Sequence, residues 1–230
     1  MDLGSQAAGI GALAESTRRR LYEYVAAQPA PVGREQAARE LGLAAHTVNF
    51  HLDRLAEEGL LDVEFRRLTE RTGPGSGRPA KLYRRADREF AVSLPPRRYD
   101  LVGEVLADAV TRALSGTELS ASVVEAAHDA GVRAAGLVDG PGDGPVVAPT
   151  LEDLAGALAG LGYEPREEDG AMVLANCPYH QLAQEHTELV CGLNQHFVQG
   201  VADGIGCDGA CACLEPEDGR CCVVVRERSG

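Results

Sequence analysis

The sequence predicts an α+β chain built of two unlike parts, and three observations predict it. Helical stripes alternate with paired β-type segments that meet at Gly- and Pro-rich turns. Charge is divided: residues 1–98 hold 16 Lys+Arg against 13 Asp+Glu, and residues 99–230 hold 6 against 22, within a formal total of -13. All seven cysteines lie after residue 176. A length of 230 residues suits one large domain or two small ones, each able to bury a core.

Composition excludes several classes. At 44% hydrophobic and 25% charged, the chain is neither disordered nor fibrous. No stretch is apolar for long enough to predict a membrane span, and the N-terminal MDLGSQAAGIGALAE lacks the charged leader and apolar core of a secretory signal. The expectation is a cytoplasmic protein without a membrane partner, whose cysteines are reduced thiols. An acidic total argues against nucleic acid, but the mildly basic first part escapes that argument.

In that part, STRRRLYEYVAA reads as a helix that Ser16 can cap, with Leu21, Tyr24 and Val25 at helical spacing. PVGREQAARELGL is a second helix, with Ala37, Ala38 and Leu41 inward and Gly42 as its stop. AAHTVNFHLDRLAEEGLL is a third, with Val48, Leu52 and Leu55 on one face. Two short helices joined at a Gly-containing turn form a helix-turn-helix, although any three-helix core produces the same periodicity. Leu60–Leu68 and Lys81–Arg85 then read as strands either side of the turn ERTGPGSGRPA, which makes the unit winged. A tip carrying Arg71 and Arg78, followed by Lys81, suits a phosphate backbone or minor groove. Off the apolar face of the third helix stand His46, Thr47, Asn49, Phe50, Asp53 and Arg54. Asn49 suits a bidentate contact to adenine, and Thr47 suits a phosphate or a thymine methyl. Phe50 is either an exposed aromatic or core, depending on register. The plain alternative for the whole set is a solvated helix face.

Residues 99–117 contain YDLVGEVLADAVTRAL, a helix with an apolar stripe wide enough to cover a partner helix. It serves either dimerisation or an intradomain core. Glu118–Leu137 is a further helix, and VDGPGDGPVVAP is a loop. Leu151–Leu161 is helical, Tyr163–Arg166 and Met172–Ala175 form a hairpin at EEDG, and a helix from Glu188 to Ile205 precedes a second hairpin at PEDG.

The cysteines sit on this last framework. Structural zinc sites show short-spaced pairs, and none of the spacings here matches well. Iron–sulfur clusters take thiolates from dispersed positions, which favours a cluster over zinc. His180 and His186 bracket the segment after Cys177 and could complete a three-cysteine set, though capping or solvation is the commoner role. Cys221 and Cys222 point to opposite faces if strand-like, so one is a ligand and the other packs. No nucleophile motif, phosphate loop or paired-carboxylate signature predicts an enzyme.

The GRPA turn with KLYRR, then CPYHQLAQEHTELVCGLN and GRCCVVV, resemble the SufR-type iron–sulfur transcriptional regulators, within the ArsR/DeoR-like winged-helix proteins. The resemblance spans about residues 16–226. It implies a homodimer that binds a double-stranded DNA operator and carries an oxygen-sensitive 4Fe-4S cluster, repressing iron–sulfur assembly genes until the cluster is lost. By position, Cys177, Cys191 and Cys221 match the cluster cysteines, with Cys207 nearest to a further middle cysteine. The chain departs from the pattern in having three middle cysteines, CDGACAC. The expected organisation is a winged helix-turn-helix at 1–98, a dimerisation helix at 99–117 and a cysteine-rich α+β sensor domain at 118–230. A zinc- or thiol-redox-sensing regulator of the same fold is the alternative.

Overall fold

The computed structural model describes residues 3–67, 79–137, 148–217 and 219–228. Its contacts divide the chain into two units, residues 1–92 and 93–230.

In the first unit, helix α1 (Leu3–Ala12) is followed by α2 (Ser16–Ala26), strand β1 (Val32–Gly33), α3 (Arg34–Leu41), α4 (Ala45–Glu57), β2 (Leu61–Arg66) and β3 (Ala80–Arg85). Ser16 does not cap α2. Glu15 does, because its longer carboxylate reaches the amides of both Thr17 and Arg18. Gly42 turns α3 into α4 in the left-handed region, at φ 65°, where a side chain would be strained. The strands form an antiparallel sheet in the order β1-β3-β2. Neither α1 nor the two-residue β1 was expected from the sequence. The core joins Leu21, Val25, Val48, Leu52 and Leu55 from the helices to Val32, Leu61 and Tyr83 from the sheet. Each fully buried aliphatic side chain there contributes about 1.5–3 kcal/mol.

The second unit contains α5 (Tyr99–Leu114), α6 (Leu119–Ala135), α7 (Leu151–Gly160), β4 (Pro165–Glu168), β5 (Ala171–Leu174), α8 (His180–Glu185), α9 (Thr187–Ile205), β6 (Ala210–Leu214) and β7 (Val223–Glu227). Helix α5 packs on α6 and belongs to this unit's core through Leu101, Val102, Val105 and Ala109. The sheet runs β4-β5-β7-β6 with every pairing antiparallel. Its inner face, with Met172, Leu174, Ala212, Val223 and Val225, shares a core with Leu193, Phe197 and Val201 of α9. Asp169 and Gly170, at φ 49° and 72°, close the β4–β5 hairpin, since Asp and Gly tolerate that region best.

Helices α6 and α9 approach backbone to backbone. A Cβ on Gly200 would collide with the His128 carbonyl, and one on Gly204 would lie 2.8 Å from Ala135 Cβ. A Cβ on Gly131 would collide with the Phe197 carbonyl. Only glycine permits this spacing. It fixes α9, and with it the first turns that carry Cys191 and Asn194.

Candidate functional site

In the first unit, α4 buries Val48, Leu52 and Leu55, and so turns its other faces outward. His46 and Arg54 are exposed, Thr47 and Asn49 are half-buried, and Phe50 is 64% exposed rather than core. Asp53 is the hub behind them. Its carboxylate accepts from Lys81 Nζ at 2.5 Å, from the Tyr83 hydroxyl at 2.7 Å and from Asn49 Nδ2 at 3.3 Å. Burial pushes the Asp53 carboxyl up, but the bonds from Lys81 and Tyr83 outweigh it and hold it below the usual range. Lys81 therefore ties β3 to α4. Asn49 is itself oriented, because its Oδ1 accepts from Arg34 at 3.4 Å. Arg54 pairs along the helix with Glu57 and Glu58. Arg71 and Arg78 lie outside the described residues.

Sequence reasoning missed Arg34, Arg39, Phe65 and Arg66. They line, with Lys81, a groove of about 720 Å³ between α3 and the strands β2 and β3. Phe65 is 66% exposed. Three arginines and a lysine line one groove beside Glu35, although the sequence separates these cations by up to 47 positions, and Lys81, Arg66 and Arg39 are each paired with a carboxylate.

In the second unit, four thiols meet in pairs. Cys177 and Cys221 stand near enough to shift each other's ionisation, as Cys222 does that of Cys191, and Cys177 also acts on Cys191. Cys177 follows Asn176, which is 6% exposed and bonded on both sides. Its Nδ2 donates to the carbonyls of Gly162 (2.6 Å) and Pro96 (3.1 Å), and its Oδ1 accepts from Arg97 at 2.6 Å. Arg97 also donates to the Cys177 carbonyl at 2.8 Å. Cys191 stands in the second turn of α9, and Cys221 and Cys222 immediately precede β7. The backbone N–H of Cys221 donates to the Leu174 carbonyl at 2.8 Å, which anchors the pair to the end of β5.

The hydrogen bond from Cys221 lowers the Cys177 thiol to about 7; burial opposes this, and the Tyr179 amide and Arg97 assist it. Its partner Cys221 is pushed far up, first by that same bond and then by burial. Burial raises Cys191 to about 12, and the bond to Cys222 adds to this. The set thus holds one easily ionised thiol, Cys177, beside two that are pushed up, Cys191 and Cys221.

A buried polar chain supports it. Asn194, 1% exposed, donates from Nδ2 to Cys221 Sγ at 3.2 Å and accepts from the Tyr163 hydroxyl. That hydroxyl lies 3.5 Å from the Tyr179 hydroxyl, and the two rings meet edge to face with centroids 6.4 Å apart. Burial holds both phenols protonated.

The expected ligands are thus only partly brought together. Cys177, Cys191 and Cys221 lie in one set, and Cys222 joins them instead of packing elsewhere, because the segment before β7 is not strand-like. Cys207 stands apart, buried near Asp153 and Asp208. His180 and His186 are exposed, and His180 Nε2 lies 3.2 Å from Gln184 Nε2. Among the described residues, no group of three or more His, Cys, Asp or Glu has an arrangement that could hold a metal ion. By donor type alone, thiols would suit a thiophilic group rather than a hard cation.

Comparison with known proteins agrees with the first unit: a family model described as a helix-turn-helix domain matches residues 13–64. No curated protein matches the chain. Among the described residues, no helix is long and apolar enough to cross a membrane. The match and the geometry of α3, the Gly42 turn and α4 coincide, and this chain carries a helix-turn-helix domain of the kind found in DNA-binding transcriptional regulators.

Proposed function

We propose that the chain is a homodimeric transcriptional regulator, acting as a repressor, whose second unit senses redox state or iron–sulfur supply through Cys177, Cys191, Cys221 and Cys222. The observation that carries this reading is the meeting of four thiols, from three separate segments, against the buried Asn194. On the DNA side, His46, Thr47, Asn49 and Phe50 of α4 face base edges, with Asn49 on adenine and Phe50 on a thymine methyl. Arg34, Arg39 and Arg66 follow the phosphates, and Arg54, Arg71 and Arg78 add to them. The Asp53–Lys81–Tyr83 hub keeps α4 and the wing strands in fixed register while they do so.

A 4Fe-4S cluster would be held by Cys177, Cys191, Cys221 and Cys222, with iron–sulfur assembly genes as the targets, and it would supply a one-electron, oxygen-sensitive group. The chain's own residues do the rest. Asn176 and Arg97 fix the loop that carries Cys177. Asn194 supplies an N–H to the Cys221 sulfur, which favours its thiolate over its thiol. Tyr163 and Tyr179 exclude water behind it. Two copies pair through α5, whose outer side carries Gly103, Ala107, Val110 and Leu114, the last two 50% and 85% exposed. Pairing fixes the spacing between two α4 helices, so a change at the thiols that alters the pair alters the fit to two half-sites.

Purification without oxygen tests the reading. Iron and sulfide in equal amounts, and an operator affinity that falls after exposure to air, are expected. A colourless, iron-free protein whose affinity ignores oxidation would overturn it. A second reading, a thiol-redox switch without metal, is favoured by the pairwise arrangement of the four thiols and by the low Cys177 value. It predicts an air-sensitive affinity in iron-free protein.

A further inference from the structure

Three cysteines take no part in that set, and two of them, Cys211 and Cys213, share strand β6. Alternation along β6 turns Ala210 and Ala212 into the core and Cys211 and Cys213 to the outer face, where both are half-buried. Their sulfurs are 3.5 Å apart, and the Cys213 thiol is also 3.8 Å from the Cys211 carbonyl. Strand β6 is an edge of its sheet, so one side of this pair is open. Opposite Cys211 on β7 stands Arg226, held by two bonds to Glu215 at 2.6 and 2.8 Å. Cys213 interacts with Cys211, Glu215 and Arg226, whereas Cys177 interacts with Cys221, Tyr179 and Arg97.

We propose that Cys211 and Cys213 are a modification site of their own, a dithiol that a hydroperoxide converts to a reversible intrastrand disulfide. The Cys211 thiolate attacks one oxygen of hydrogen peroxide: an S–O bond forms, the O–O bond breaks, and the departing hydroxide takes up the proton that the Cys211 thiol gave up and leaves as water. The Cys213 sulfur then attacks the sulfenic sulfur of Cys211. The S–S bond forms, the S–O bond breaks, and the hydroxyl leaves as a second water with the Cys213 proton. The two thiols lose two electrons and one peroxide gains them. The sulfurs need close by only about 1.5 Å to reach bonding distance. Residues two apart on a strand have Cα atoms roughly 6.6 Å apart, near the long limit for a disulfide, so the bridge is strained and a dithiol reductant restores it readily. None of this depends on what the Cys177 set binds.

The full-length protein, reduced and then titrated with hydrogen peroxide, tests it by differential alkylation and peptide mass. Residues 211 and 213 are expected to lose alkylation together, in a peptide lighter by two hydrogens, and to regain it with dithiothreitol. Cys211→Ser leaves Cys213 alkylatable at the same peroxide dose. In Cys177→Ser/Cys191→Ser protein the 211–213 bridge is expected unchanged. The proposal is overturned if both thiols stay alkylatable after peroxide, if either bridges to another cysteine instead, or if the Cys177→Ser/Cys191→Ser change abolishes the bridge.

Discussion

Cys177 is the most distinctive side chain in the second unit, because one neighbour sets its ionisation. Its reaction with iodoacetamide is expected to rise through a midpoint near pH 7, while Cys191 responds only toward about pH 12. Cys221→Ala removes the leading cause and should return the Cys177 midpoint toward the ordinary thiol value of about 8.5. An unchanged midpoint in that variant would assign the shift to Arg97 and the Tyr179 amide instead. Asn194→Asp keeps an acceptor for Tyr163 but sets a carboxylate oxygen against Cys221, and should raise the Cys177 midpoint above its native value. Asn194→Leu strands the buried Tyr163 hydroxyl and should cost about 1–3 kcal/mol, read from denaturant unfolding. The cysteines were legible because their clustering has few other meanings. Asn194 was not, since on an amphipathic helix a single polar residue reads as the wet side. Its position three residues after Cys191, one turn along the same face, is the signal that could have found it.

At the level of elements, hairpins and long amphipathic helices were legible because period-2 and period-3.6 patterns are strong there. The two-residue β1 and the sparsely apolar α1 offer too little pattern to read. The α6–α9 approach was hidden for another reason: glycine inside a helix normally reads as a cost. Gly200→Ala is expected to destabilise the second unit by on the order of 3 kcal/mol, since the obstacle is the His128 backbone and cannot rotate away. Gly156→Ala, on an exposed side of α7 with open space around it, should instead stabilise by about 0.5–1 kcal/mol. Thermal unfolding of the pair checks the sign in each case. In the first unit the Asp53 hub joins α4 to β3, and its carboxyl is held below the ordinary range. A depressed acid contributes stability above its unfolded value, about pH 4, and loses it as pH falls through the lower folded value. Asp53→Asn should therefore flatten the acid limb of the first unit's unfolding curve. A limb as steep as the native one would mean that other carboxylates carry it.

For the whole molecule, the formal charge of -13 conceals two unlike regions, and the sequence already showed the division. What it could not show is how thinly cations are spread: Lys81 is bound to Asp53, and Arg54 to Glu57 and Glu58. Nonspecific affinity is then expected to be weak. Phe50→Ala should reduce binding to the preferred sequence much more than to random DNA, whereas Arg39→Ala should weaken both alike and lower the salt dependence by about one ion. Val110→Glu together with Leu114→Glu should shift sedimentation from dimer to monomer and remove tight operator binding. Helix α5 is bound to α6 by Arg112, which holds Asp108 and Asp129 at 2.8 Å and Glu125 at 3.4 Å. Helix α6 is in turn seated on α9 through glycines that leave no side chain to yield. The α6–α9 seam therefore has no side chain that can yield, whereas α5 rests on α6 through aliphatic side chains. A displacement of α9 at Cys191 is then expected to carry α6 with it as backbone, in the manner of a rocker arm, and Gly200→Ala should uncouple the two.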